Sequence, residues 1–150
     1  AAGNMQAHEL DALMDMEIDS RLHELTQPAN AMQKVADAMP GFGIVAAVLG
    51  IVITMGAIDG PMEEIGVHIA AALVGTFSGV LFGYGLFGPI ATKMEHIAHD
   101  EIKLYESAKA TIVASVNGLP PQLAVEFGRK VLFAHDRPTF NELESKVRGR

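Results

Sequence analysis

Two long apolar blocks fill the middle of the chain, and a short acidic stretch separates them. Asp37 and Asp59 bracket the uncharged residues 38–58, and His68 and Lys93 bracket the uncharged residues 69–92. About 20 apolar residues in a helix cross a bilayer core of about 30 Å. The pattern therefore predicts a transmembrane helical hairpin over residues 38–92. Two buried helices of a water-soluble protein are the alternative.

The connection between the blocks, residues 59–64, is too short for anything other than an antiparallel hairpin. Asp59 is suited to cap the second helix, and Pro61 to stand in its first turn. Glu63 and Glu64 favour the positive end of the helix dipole. A second interpretation, compatible with the first, is an acidic outer vestibule that concentrates cations.

Polar arms on either side of the hairpin carry a helical period. The first arm has apolar residues at three- and four-residue steps, namely Leu10, Leu13, Met14, Ile18, Leu22 and Leu25. We expect Gln27-Pro28 to break this helix and Asn30 to start another. The stripe after the second block consists of Met94, Ala98, Ile102, Tyr105, Ala108, Ile112 and Val116. It predicts that the second membrane helix continues until Asn117-Gly118.

The last part of the chain predicts two shorter helices. Pro120-Pro121 opens one over residues 122–133, and Thr139 to Glu142 has the form of a capping box for the other. No segment shows the alternation of a strand. The fold class is therefore all-α, with a helical segment at 1–37, the hairpin at 38–92 and a helical extension with a tail at 93–150.

The positive charges predict the orientation of the hairpin. All Lys and Arg lie outside residues 35–92, and the connection at 59–64 has none. Lys34 flanks one end of the hairpin, while Lys93, Lys103 and Lys109 flank the other. By the positive-inside rule both arms are expected in the cytoplasm and the connection outside.

Composition removes several classes of function. There is no cysteine and hence no disulfide framework, and a net charge of −7 argues against nucleic-acid binding. The first residues show no signal peptide, and we expect the chain to be the later part of a longer protein. His96 and His99 suggest a metal site only if a third ligand converges; otherwise they belong to a solvated stretch. No enzyme motif is found, and no metal or other cofactor is predicted.

Small residues mark the faces on which the two spans are expected to pack. They lie at four-residue spacing on the second span and as a patch on the first, namely Ala71, Gly75, Gly79, Gly83, Gly43, Ala46, Ala47 and Gly50. The helices either pack only on each other or also on copies and other helices. Pro40 and Pro89, at the two cytoplasmic edges, permit kinks or simply mark helix ends.

No carboxylate lies within either span. The polar side chains are those of Thr54, Thr76, Ser78 and Tyr84, with His68 at the outer edge. An ion pathway normally needs an ionisable group at depth. Either the chain conducts no ion, or another chain donates the acid. Threonine in a membrane helix usually bonds back to its own helix, which is the structural interpretation of Thr76.

Four stretches in order give the chain a resemblance to the MotA family of flagellar motor stator subunits. They are HELDALMDMEID at 8–19, MPGFGIVAAVLGIV at 39–52, AALVGTFSGVLFGYGLFGPIAT at 71–92 and AVEFGRKVLFAHDRPTFNELESKVR at 124–148. The resemblance implies a four-span subunit of the bacterial inner membrane, of which these are the third and fourth spans. It also implies a homopentamer around a single-span MotB-type partner, whose membrane aspartate carries the ion. The assembly is expected to exert torque on the rotor switch protein FliG.

The resemblance also assigns roles to single residues. Thr76 matches the ion-path threonine of the family, and Pro40 and Pro89 match its two functional prolines. Ala47 stands where sodium-driven relatives tend to carry a second threonine, so protons are favoured over sodium. Glu17, in the first matched stretch, is a candidate for the cytoplasmic interface.

Two other functions stay open. One is an energy-transducing subunit of the ExbB or TolQ kind, which also wraps a single-span partner but has three spans and lacks the FGRK and RPTF tail of this chain. The other is a passive membrane scaffold without ion flux, which the small-residue faces suit equally well.

Overall fold

A computed structural model describes residues 5–147 of the chain. The predicted segments also include residues 1–4 and 148–150, which lie outside the described residues. The described part is helical throughout its regular structure and contains no strand, which confirms the all-α prediction. The helices are α1 (Ala7–Gly56), α2 (Met62–Phe82), a π-helical turn (Gly83–Phe87), α3 (Gly88–Val116), α4 (Pro121–Val131) and α5 (Phe140–Val147).

Helix α1 passes through Pro28 and Pro40, so the predicted break at Gln27-Pro28 is wrong. A proline inside a helix removes one hydrogen bond and costs about 3 kcal/mol. Here the loss is offset by the packing of small residues between Pro28 and Pro40. Ala29 is 4% exposed and Ala36 is 1% exposed. The local breaker signal is therefore overridden by tertiary contacts.

Two compact units divide the described chain. One contains the residues up to Leu25 together with those from His96 onward, and the other is Thr26–Glu95. The segment boundaries predicted after residues 37 and 92 both fall within long helices, α1 and α3.

The unit Thr26–Glu95 holds the helical hairpin. The helical runs Ala7–Gly56 and Met62–Val116 are each long and apolar enough to cross a membrane. Large side chains such as Phe42, Ile53 and Phe77 are exposed on the hairpin, while Gly43, Ala72 and Gly79 are buried. Small residues inside and large apolar residues outside are the arrangement expected of helices in lipid.

The connection of the hairpin differs from the prediction in one detail. The N-cap of α2 is Pro61, without a side-chain hydrogen bond, so Asp59 does not cap the helix. Gly60 instead donates its N–H to the carbonyl of Ala57 at 2.8 Å, which closes the turn. Glu63 and Glu64 do lie in the first turn of α2, where the helix dipole favours negative charge.

The other unit ends in two short helices that the sequence predicted. Helix α4 spans Pro121–Val131, close to the predicted 122–133, and Gly128 packs against Thr111 and Ser107 of α3. At the start of α5, Glu142 accepts a bond from the Thr139 N–H at 2.7 Å, while Thr139 Oγ1 accepts one from the Glu142 N–H at 3.3 Å. These reciprocal bonds confirm the capping box. The pKa of Glu142 is lowered, chiefly because the Thr139 hydroxyl also donates to its carboxylate at 2.8 Å and then because the Thr139 N–H does.

Candidate functional site

The two helices of the hairpin approach each other backbone to backbone. A Cβ atom added at Gly79 would lie 2.6 Å from the Met39 carbonyl oxygen and 2.8 Å from Gly43 Cα. One added at Gly75 would lie 2.9 Å from Ala46 Cβ. Only glycine allows this distance, so the close contact is a direct consequence of the small-residue sequence.

The small residue that meets Gly50 is Ala72, not Ala71. A Cβ at Gly50 would lie 2.5 Å from Ala72 Cβ, while Ala71 is exposed. Each four-residue step overshoots a full helical turn by about 40°, so a strict four-residue series drifts off the contact face. Ala72 and Gly83 are eleven residues apart and return to within about 20° of each other.

Thr76 reaches across this interface. Its hydroxyl lies 3.5 Å from the Gly43 carbonyl oxygen on the facing helix. This is long for a hydroxyl bond, so the hydroxyl can turn to a better acceptor at small cost. Thr54 and Thr92 instead bond back to their own helices, at Gly50 and Gly88. The structure thus separates Thr76 from the self-bonded threonines.

Ala47 lies next to the same contact. It is half-buried, and its backbone nitrogen lies 3.8 Å from the position of a Cβ on Gly75, the neighbour of Thr76. A threonine at position 47 would therefore bring a second hydroxyl into the region of Thr76.

Gly83 packs against Pro40 of the facing helix and begins the π-helical turn that precedes Pro89. A Cβ on Gly83 would lie 3.0 Å from Pro40 Cδ and 2.8 Å from the Ala36 carbonyl oxygen. The Gly83 carbonyl also accepts the N–H of Gly88, which closes the π-helical turn directly before Pro89. Because Pro89 has no N–H, the helix widens there rather than ending. The sequence analysis missed this turn, although the Gly-rich stretch before a proline is a signal for it.

Glu17 belongs to the other unit. It is exposed and lines a shallow groove together with Ser20, Arg21, Glu24 and Tyr105. Arg21 donates to Glu24 at 3.3 Å and to Glu101 at 3.4 Å, and these hydrogen bonds raise the pKa of the guanidinium.

An ion-pair cluster in the same unit was not foreseen. Lys109 Nζ lies 2.6 Å from Asp15 Oδ1 and 2.9 Å from Asp11 Oδ1. The hydrogen bond to Asp15 is the main reason that the pKa of Lys109 is raised. The four-residue spacing of the two aspartates places them on one face of α1, but nothing in the sequence pairs that face with Lys109 of α3. His96 and His99 are exposed, and within residues 5–147 no three metal-ligand side chains converge.

Comparison with known families assigns the chain to a family. The model of the MotA/TolQ/ExbB proton channel family matches residues 2–107. The chain belongs to this family.

Individual members of the family are similar over nearly the whole chain. It is 45% identical over 148 residues to Motility protein A of Escherichia coli (strain K12), which covers 99% of the chain and 50% of that protein. It is 44% identical over 144 residues to Chemotaxis protein LafT of Vibrio parahaemolyticus, which covers 96% of the chain and 50% of that protein. The chain thus spans about half the length of these curated relatives.

A solved structure shares the fold. The structure of C. jejuni MotAB superposes with a TM-score of 0.79 at 20% sequence identity. The match covers 91% of the present chain and 53% of the C. jejuni chain. The fold of this proton channel family is therefore present in the described residues.

Proposed function

We propose that the chain is part of an ion-conducting stator subunit of the bacterial flagellar motor. The observation that carries this proposal is the 45% identity to Motility protein A across 99% of the chain. The hairpin supports it, because a helix pair with a close glycine contact and one hydroxyl aimed across the interface is suited to line a pathway for an ion.

In this proposal the carboxylate that binds the ion comes from a single-span MotB-type partner, since residues 38–58 and 69–92 contain none. A proton entering from outside neutralises that aspartate, which removes the cost of a charge within the membrane. Release of the proton to the cytoplasm resets the cycle. Each charge that crosses 100 mV releases about 2.3 kcal/mol, a few times the thermal energy.

Three residues couple the ion to movement. The Thr76 hydroxyl supports the ion pathway by exchanging its long bond to Gly43 for one to the partner's carboxyl group. Pro40 permits α1 to bend where it packs against Gly83, and Pro89 permits a bend directly after the π-helical turn. Small changes at the acid are thereby converted into a shift of the cytoplasmic ends of the spans.

Protons are the proposed ion. A sodium ion that sheds its water needs several oxygen ligands, whereas a proton needs only an acid and a hydrogen-bonded route. Ala47 offers no hydroxyl beside Thr76, and this favours protons.

The proposed assembly is a homopentamer around the partner, embedded in the lipid of the bacterial inner membrane. Both ends of the chain lie in the cytoplasm, where the arms act on the rotor switch protein FliG. Glu17, exposed on α1, is the proposed residue of this cytoplasmic interface.

Deletion of the full-length gene in the source cell tests the function. We expect cells with a normal number of flagella that do not turn, and recovery of rotation when the gene is supplied again. Normal swimming with a defect in outer-membrane uptake or integrity would instead assign the chain to the ExbB or TolQ kind. Rotation and outer-membrane functions that both persist, with no proton flux through the complex, would leave a passive scaffold.

A further inference from the structure

His68 is a titratable side chain of the hairpin to which the proposed mechanism gives no role. It is half-buried, and its Nδ1 atom is enclosed with no hydrogen-bond partner among the described residues. A buried ring nitrogen without a partner is costly, so native structures nearly always supply one, often as water. The enclosed Nδ1 therefore points to a partner outside this chain.

The helix register places His68 at the outer end of the interhelical contact. Gly43 faces Gly79, and Gly50 faces Ala72. One further turn outward on each helix sets Thr54, which is 8% exposed, opposite His68. Around α2, His68 lies within about 20° of both Gly75 and Gly79, so it continues the face of α2 that packs on α1.

Along the axis of α2, His68 precedes Thr76 by eight residues, or about 12 Å. Between them the residues of α2 that are buried or half-buried are the small Ala72 and Gly75, while the bulky Ile69, Leu73 and Val74 are exposed. A group at His68 therefore stands between the outer solution and the depth at which Thr76 meets the partner's acid.

The charges around His68 are those of the hairpin connection and the first turn of α2. Glu64 is one turn before His68 on α2, and its Oε2 lies 3.7 Å from the position of a Cβ on Gly60. Asp59 and Glu63 are the other acids nearby in sequence. The facing residues of α1 carry no titratable group, and His68 forms no ion pair within the described residues. Glu64 therefore precedes His68 by one helical turn on the same helix, without an ion pair to it.

We infer that His68 is a proton-relay residue at the outer mouth of the pathway. The imidazole takes a proton from outside on one ring nitrogen and releases the proton of the other ring nitrogen inward, directly or through water, to the carboxylate that the partner donates. The ring returns to its neutral form and no other bond changes. Histidine is suited to this step because it gains and loses protons near neutral pH. The inference rests on the proposed stator function.

Proton influx through the full-length subunit with its partner, measured against external pH, tests the inference. The variants are His68→Gln, which keeps a polar side chain that cannot relay protons, and His68→Leu, which keeps only the bulk. At pH 8, where protons are scarce, both variants are expected to conduct at least about threefold less than the parent, and about 100-fold less or lower if the relay is the rate-limiting step. At pH 5.5 both are expected to approach the parent. External imidazole is expected to restore the flux at pH 8.

Other results would overturn the relay. If His68→Gln conducts like the parent at every pH, the ring serves only as a hydrogen-bonding group. If both variants lose the same factor at every pH and imidazole restores nothing, His68 only supports the packing.

The proposed function and the relay fail in different ways. A parent complex that conducts protons, with variants that keep its pH profile, removes the relay and leaves the stator function intact. A parent complex without proton flux, together with normal rotation in the deletion strain, removes both.

Discussion

At the scale of single residues, the close packing of the hairpin depends on glycines, which have no side chain at the interface. Gly43, Gly75 and Gly79 leave out the Cβ atoms that would keep the two backbones apart. The same closeness brings the Thr76 hydroxyl to a carbonyl of the facing helix. Helix packing and the proposed ion pathway therefore depend on the same residues, and substitutions can separate the two contributions.

Gly79→Ala is expected to destabilise the hairpin, because the added methyl would collide with backbone atoms of Met39 and Gly43 that cannot move aside. Overpacking of this kind costs about 1–3 kcal/mol. Gly66→Ala is the matched control on α2, because no atom lies within 4 Å of its added Cβ. Denaturation of the purified full-length complex in detergent measures both. Equal stability of the two variants would contradict the close contact.

Thr76→Val is expected to slow torque generation while assembly with the partner survives, because valine keeps the shape and removes the hydroxyl. Thr92→Val is the control, since Thr92 bonds only to Gly88 of its own helical run. The rotation speed of tethered cells reports torque, and co-purification of the partner reports assembly. Normal speed in the Thr76 variant would remove this residue from the pathway.

At the scale of helices, local sequence signals predicted most of the fold, and tertiary contacts decided the rest. The capping box at Thr139 and the end of α3 near Asn117 were predictable because each depends on residues close in sequence. Pro28 misled the prediction because the buried alanines that stabilise α1 around it are recognisable only in the folded protein.

The candidate site shows the same division. The small residues of the interface could be listed from the sequence, but the choice of Ala72 over Ala71 depends on the register between two helices. The pairing of Asp11 and Asp15 with Lys109 joins residues about a hundred positions apart, and no local pattern indicates it.

Lys109→Met is expected to destabilise the contact between the first part of α1 and the last part of α3. The variant leaves Asp11 and Asp15 facing each other without the cation. The two half-exposed pairs contribute about 1 kcal/mol together. Replacing both aspartates by asparagine in the Lys109→Met background should recover part of the loss. Thermal unfolding of the full-length complex measures this, and additive effects of the changes would contradict the pairing.

The same cluster predicts a dependence on alkaline pH. The pKa of Lys109 is raised in the folded chain, chiefly by its bond to Asp15. The stabilisation is therefore complete below the ordinary lysine pKa of about 10.4, and is lost as the pH rises through the higher folded value. Lys109→Met should flatten this alkaline part of the stability profile, whereas Lys93→Met, at an exposed position, should leave it unchanged.

At the scale of the whole molecule, the boundaries between charged and uncharged segments do not coincide with the ends of the helices. Helix α1 and the helical run from α2 to α3 each contain a charge-free stretch and a charged stretch. Long helices of this kind can carry a change within the membrane to residues outside it without a loop between them. The proposed coupling of ion flow to the rotor requires that the connection at 59–64 and the charged arms lie on opposite sides of the membrane.

The absence of cysteine allows a direct test of that topology. Met62 is 83% exposed beside the connection, and Leu104 is 60% exposed on α3. In full-length protein without other cysteines, Met62→Cys should react with a membrane-impermeant maleimide in intact cells. Leu104→Cys should react only after the inner membrane is opened, because the lysines near it predict that this arm lies in the cytoplasm. Labelling of both positions from outside would refute the hairpin topology, and with it the proposed coupling between proton flow near Thr76 and movement of the rotor.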